Sequence, residues 1–142
     1  MMLRRLPLLA ALAVCAVGCG GPHNTVPVSG RVTLDGQPLP KAAVTFQPVV
    51  TPGNPNPGPG SGGFTDADGR YTLKLTGAET RGAVVGKHKV RISLVPPKED
   101  PADDRPKRHK QLPAKYSGKD TKLEYDVPAG GTESADFPLT SK

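Results

Sequence analysis

The sequence predicts an all-β fold placed behind an export signal. Three observations carry this. Six segments after residue 25 alternate apolar and polar residues with a two-residue period, the pattern of strands with one buried face. Beyond the first nineteen residues no stretch keeps an i, i+3, i+4, i+7 apolar pattern for three turns, so no amphipathic helix is expected. Finally, 17 glycines and 17 prolines in 142 residues, several in tight-turn pairs, cut the alternating segments into short lengths.

The amino-terminal segment is read first. Arg4 and Arg5 precede an apolar run, Leu6 to Val17, broken only by Pro7, and Gly18 and Cys19 follow. A basic start, a short apolar centre and small residues at the end make a secretory signal. Twelve residues of helix would span about 18 Å of a hydrocarbon core about 30 Å thick, too short for a stable transmembrane helix. The ending Ala16-Val17-Gly18-Cys19 resembles a bacterial lipobox, in which signal peptidase II cuts before a cysteine that carries a diacylglyceryl thioether. The resemblance implies a signal peptide over residues 1–18, lipidation of Cys19 and a tether over 19–25. Gly18 fits that pattern, whereas Ala16 stands where leucine is usual. Cys15 fits less well, with Val14 before it, and a secreted chain cut near Cys19 without lipid is the alternative.

Each alternating segment then has its place. Val26, Val28, Val32 and Leu34 share one face of a first strand, closed by Asp35-Gly36. Val44 and Phe46 follow; then Tyr71, Leu73 and Leu75, introduced by the turn residues Asp68-Gly69. Val90, Ile92 and Leu94 alternate with Lys89, Arg91 and Ser93. Leu123, Tyr125 and Val127 form a fifth face; Ala135, Phe137 and Leu139 form a sixth, separated from it by Gly130-Gly131. Pro138 lacks a ladder donor and places the last strand at a sheet edge. Two segments read as mobile loops: the Pro/Gly-rich 49–63, and 96–111, where acids precede bases.

Three stretches in this order resemble carboxypeptidase regulatory-like and transthyretin-like domains: Val28-Ser29-Gly30-Arg31-Val32, then Gly36-Gln37-Pro38-Leu39 leading to Val44, then Thr65-Asp66-Ala67-Asp68-Gly69-Arg70-Tyr71. Gly86-Lys87-His88 and Leu112-Pro113-Ala114-Lys115-Tyr116 are similar to small bacterial lipoproteins of that kind. The resemblance covers about Val26 to Leu139 and places the domain over residues 26–142. It implies a seven-stranded prealbumin-like (Ig-like) β-sandwich with an accessory rather than catalytic role.

Composition and motifs bound the function. The length excludes a two-domain α/β enzyme and a polytopic membrane protein. The formal charge of +6 becomes +4 without Arg4 and Arg5, because all thirteen acids follow Cys19, and this excess favours anionic lipid or polysaccharide. Nucleic acid is not expected as a partner, since stacking aromatics are scarce. With Cys15 removed and Cys19 alkylated, no thiol remains for a disulfide, a nucleophile or a metal. Asp66-Ala67-Asp68-Gly69 lacks the twelfth-position glutamate of a calcium loop, Gly77 standing there, and reads as a hairpin turn. His23, His88 and His109 have no second ligand at metal spacing; His88 alternates onto the apolar face. No catalytic group, metal or cofactor is therefore expected.

The chain reads as a non-catalytic, lipid-anchored cell-envelope protein on a periplasmic or outer-surface face, held by the membrane through Cys19. An envelope protein or a polysaccharide is its expected partner. The alternative function is a tethered carbohydrate- or anionic-polymer-binding domain. Lys87, Lys89 and Arg91 line the outward face of one strand, either solvated, or paired with Glu124 and Asp126 across the ladder, or holding an anionic polymer. The alternation leaves Phe64 and Tyr116 as the aromatics free for a sugar platform.

Overall fold

The computed structural model describes residues 23–96 and 111–142. The signal peptide 1–18, Cys19 and nearly all of the 96–111 loop therefore lie outside the described residues. The regular elements of the described residues are strands, apart from one helical turn. In chain order the elements are β1 (Thr25–Val26), β2 (Ser29–Leu34), β3 (Gln37–Pro38), β4 (Ala42–Pro48), β5 (Ser61–Phe64), β6 (Arg70–Thr72) and β7 (Lys74–Leu75). β8 (Ala83–Val84), β9 (Gly86–Leu94), the one-turn helix α1 (Ala114–Ser117), β10 (Glu124–Val127) and β11 (Phe137–Leu139) complete them.

One sheet has five antiparallel strands in the order β10-β9-β4-β5-β7. The second is built around β2. β11 lies parallel along one edge of β2, while β6 and then β3 share the other edge in succession. The handover falls at Val32, whose N–H goes to Gly69 and whose carbonyl takes the Leu39 N–H. Asp35-Gly36 closes the β2–β3 hairpin with both residues at positive φ (51° and 83°), the two-residue turn whose twist suits paired strands. As predicted, Pro138 lies on an edge strand.

The inward faces of both sheets share one apolar core. Val44, Phe46, Val90 and Ile92 come from the first; Val32, Leu34, Phe137 and Leu139 from the second. Phe46 and Phe137 meet edge-on across it, with centroids 5.9 Å apart.

The strand assignment departs from the sequence reading at four points. The first strand is two: Val26 pairs with Ala83 in a small β1–β8 ladder, and the chain changes sheet at Pro27, which has no N–H to continue the ladder. Thr25, expected in the tether, is already in β1. Residues 70–75 also divide, β6 joining β2 and β7 joining β5, with the Leu73 N–H bonded to Val28 between them. Lastly, the expected loop 49–63 is corrected at its end, because Ser61–Phe64 is an interior strand of the five-stranded sheet. Its inward positions are Ser61 and Gly63, so no apolar period betrays it; a side chain at Gly63 would collide with the Thr72 carbonyl.

Candidate functional site: the outward face of the five-stranded sheet

Strand β9 sorts its residues by parity. His88, Val90 and Ile92 point into the core; Lys87, Lys89 and Arg91 are exposed on the opposite face. Register carries that face across the sheet. Glu124 stands opposite Lys89 and Asp126 opposite Lys87 on β10. On the other side of β9, Gln47 is opposite Lys89 and Thr45 opposite Arg91. Glu124 reaches diagonally to Lys87, with Nζ to Oε2 at 3.2 Å and both side chains about half exposed. Such a pair contributes at most about 1 kcal/mol. Among the described residues Lys89 and Arg91 form no ion pair.

Phe64 joins the same face. It ends β5 opposite Ala43 and is 70% exposed, the most exposed large apolar side chain among the described residues. Sequence reasoning left it at the edge of a loop, because the glycines before it hide the strand. Tyr116, the other aromatic expected to be free, is corrected: it is buried on α1, and its hydroxyl accepts the Thr140 N–H at 3.1 Å.

The groups that elsewhere carry chemistry are engaged by the fold. The Asp66 carboxylate accepts N–H bonds from Asp68 and Arg70 at its Oδ1, both at 2.9 Å, and its carbonyl accepts that of Gly69, so Asp66 closes the turn. The Tyr71 hydroxyl donates to the Ala135 carbonyl, and burial first, then the Tyr125 and Asp136 charges, push that phenol well above its ordinary value. A surface depression of about 420 Å³ beside Tyr71 is lined by Ser29, Gly30, Arg70, Thr72, Glu133 and Ser134. The His23 ring lies against Gly58, far in sequence from His88, and His109 lies outside the described residues. Among the described residues no three His, Cys, Asp or Glu side chains gather as a metal site.

His88, which alternation places on the apolar face, is fully buried. Its Nδ1–H donates to the Gly86 carbonyl at 2.9 Å, while Nε2 is enclosed with no partner among the described residues. Phe46 packs on the ring; Pro48 and Tyr125 flank it in register, and Asp126 follows on β10. Burial lowers the His88 pKa from 6.5, against smaller opposing effects of the Gly86 carbonyl and Asp126. The unfolded chain therefore binds the extra proton first as pH falls. Stability is full above pH 6.5 and declines below it until the lowered folded value is reached, by up to about 1.4 kcal/mol per pH unit. Urea midpoints between pH 7.5 and 5.0 should show this decline, and His88→Leu should flatten it; an unchanged slope in that variant would remove His88 as the cause.

Among family models, curated proteins and solved structures, none matches this chain.

Proposed function

We propose that this is a non-catalytic, lipid-anchored cell-envelope protein whose fold is a transthyretin-like sandwich acting as an interaction module. The observation that supports it most is where the polar and charged side chains stand. Asp66, Tyr71 and His88 serve a turn, a strand crossing and the core, while a broad, solvated sheet face is left for contact. The residues of the transthyretin-like motif also do the structural work that such a module asks of them. Asp35-Gly36 turns a hairpin, Asp66 to Gly69 caps the next, and Tyr71 begins an inward face.

The anchor reading gains a geometric consequence. The Asn24 carbonyl already accepts the Val85 N–H at 2.9 Å, and β1 starts at Thr25. Four residue steps separate Cys19 from His23, at most about 14 Å of chain. A lipid on Cys19 would hold the domain close to the bilayer.

Intact-mass and peptide mass spectrometry of the membrane-extracted protein test this reading. The expected result is a mature chain beginning at acylated Cys19, released to the soluble fraction by Cys19→Ala. A start at another residue, or a free thiol at Cys19, would overturn it. The second reading, binding of carbohydrate or anionic polymer, draws on one observation: Phe64 shares a face with Lys89 and Arg91, which form no ion pair among the described residues.

A further inference from the structure

We infer that the outward face of the five-stranded sheet is a binding track for an acidic polysaccharide, with a sugar ring on Phe64 and carboxylates on Arg91 and Lys89. This rests on the second reading above and is independent of the lipid anchor.

Register builds the track. One row crosses four strands as Lys74, Gly62, Thr45 and Arg91; the next places Phe64, Ala43 and Ser93 side by side. The first row is low at its centre, with Thr45 and no side chain at Gly62 between Lys74 and Arg91, and the second stays low beyond Phe64 at Ala43 and Ser93. With strands about 4.8 Å apart, Lys74 and Arg91 stand about 14 Å apart across this floor. Phe64 lies about 12 Å from Arg91, two strands over and two residues along. A flat aromatic at one end of a low polar floor, with cations beyond it, offers a ring face to a sugar and charge to its acid groups.

The charges select the occupant. Lys87 is held by Glu124, and Lys74 by Glu79 at 3.3 Å, whereas Lys89 and Arg91 border the floor without acidic partners among the described residues. Arg91 presents a planar fork suited to a carboxylate. A second copy of the chain would bring the same cations face to face, which opposes self-pairing. One aromatic does not give successive bases a stacking platform, which sets nucleic acid aside. β9 repeats its outward positions about every 6.6 Å along the sheet, a spacing that an extended polyanion can follow.

Binding of the full-length chain in detergent to polygalacturonate, with neutral dextran as control, tests the inference. Native protein should bind the polyuronate with salt-sensitive affinity and leave dextran unbound. Lys89→Ala with Arg91→Ala should weaken binding at least tenfold and reduce the salt slope, and Phe64→Ala should weaken it severalfold with the slope kept. Lys87→Ala should change little. Arg70→Ala with Lys119→Ala, off this face, should leave binding intact; an equal loss there would show diffuse charge attraction and overturn the site. Equal or tighter binding of single-stranded DNA would overturn the ligand class. Circular dichroism spectra matching the native chain confirm that each variant is folded.

Discussion

Gly30→Ala is expected to destabilise the protein by about 3 kcal/mol, through overpacking and a displaced hydrogen bond. Gly30 sits inside β2, where the chain before β11 crosses directly over it. A β-carbon there would overlap the Ala135 carbonyl, carbon and oxygen both, and these are backbone atoms with little freedom to yield. They are also tied in place. The Ala135 N–H donates to Ser29 at 3.0 Å, and its carbonyl accepts the buried Tyr71 hydroxyl. Moving the crossing segment would therefore strain a β2 contact and the Tyr71 bond together. Against a total stability of about 5–15 kcal/mol, such a loss is large. At an m-value of about 2 kcal/mol/M the urea midpoint should fall by about 1.5 M. Gly130→Ala is the control: the same methyl group meets nothing within 4 Å, and its effect should stay within about 0.5 kcal/mol. If the two variants unfold at the same urea concentration, the crossing is not as close as described.

Where the sequence was legible, a two-residue period met a half-buried strand. β9 is the clearest case: its buried and exposed residues alternate as the pattern required, because the sheet has core on one side and water on the other. Reading failed where a side chain's usual meaning was suspended. β5 places serine and glycine inward, and at Gly63 the Thr72 carbonyl leaves no room for a side chain, so the rule that inward means apolar had nothing to detect. Long alternating runs concealed sheet changes at Pro27 and Leu73, since periodicity reports which face is buried and not which strand lies alongside. The candidate site was half legible for the same reason. Lys87, Lys89 and Arg91 declared a common face by spacing alone. That Phe64 belongs to it depends on pairing through β4, which no local pattern encodes.

Phe46→Ala is expected to cost about 4 kcal/mol, the range for emptying a buried aromatic site. Phe46 has no exposed surface, and its ring joins four strands: His88 of β9 at 5.6 Å, Tyr125 of β10 and Phe137 of β11 each at 5.9 Å. Phe46→Leu keeps most of the volume and should cost about 1–1.5 kcal/mol. A cycle combining Phe46→Leu with Phe137→Leu should return about 1 kcal/mol of coupling for the edge-on contact. The alanine variant also bears on the histidine. Two buried polar atoms without partners among the described residues belong to its neighbours: Nε2 of His88, whose ring packs on Phe46, and the Oγ of Ser61, which is paired with Phe46 in register. A phenyl-sized cavity here has room for a water, and these two atoms can give it polar partners. Hydrated, the imidazole is protonated more easily, so the folded pKa rises towards 6.5 and less stability is lost on acidification. The urea midpoint of Phe46→Ala should thus be lower than native at every pH yet vary less between pH 7.5 and 5.0. Should it keep the native slope, the ring of Phe46 is not what keeps His88 dry.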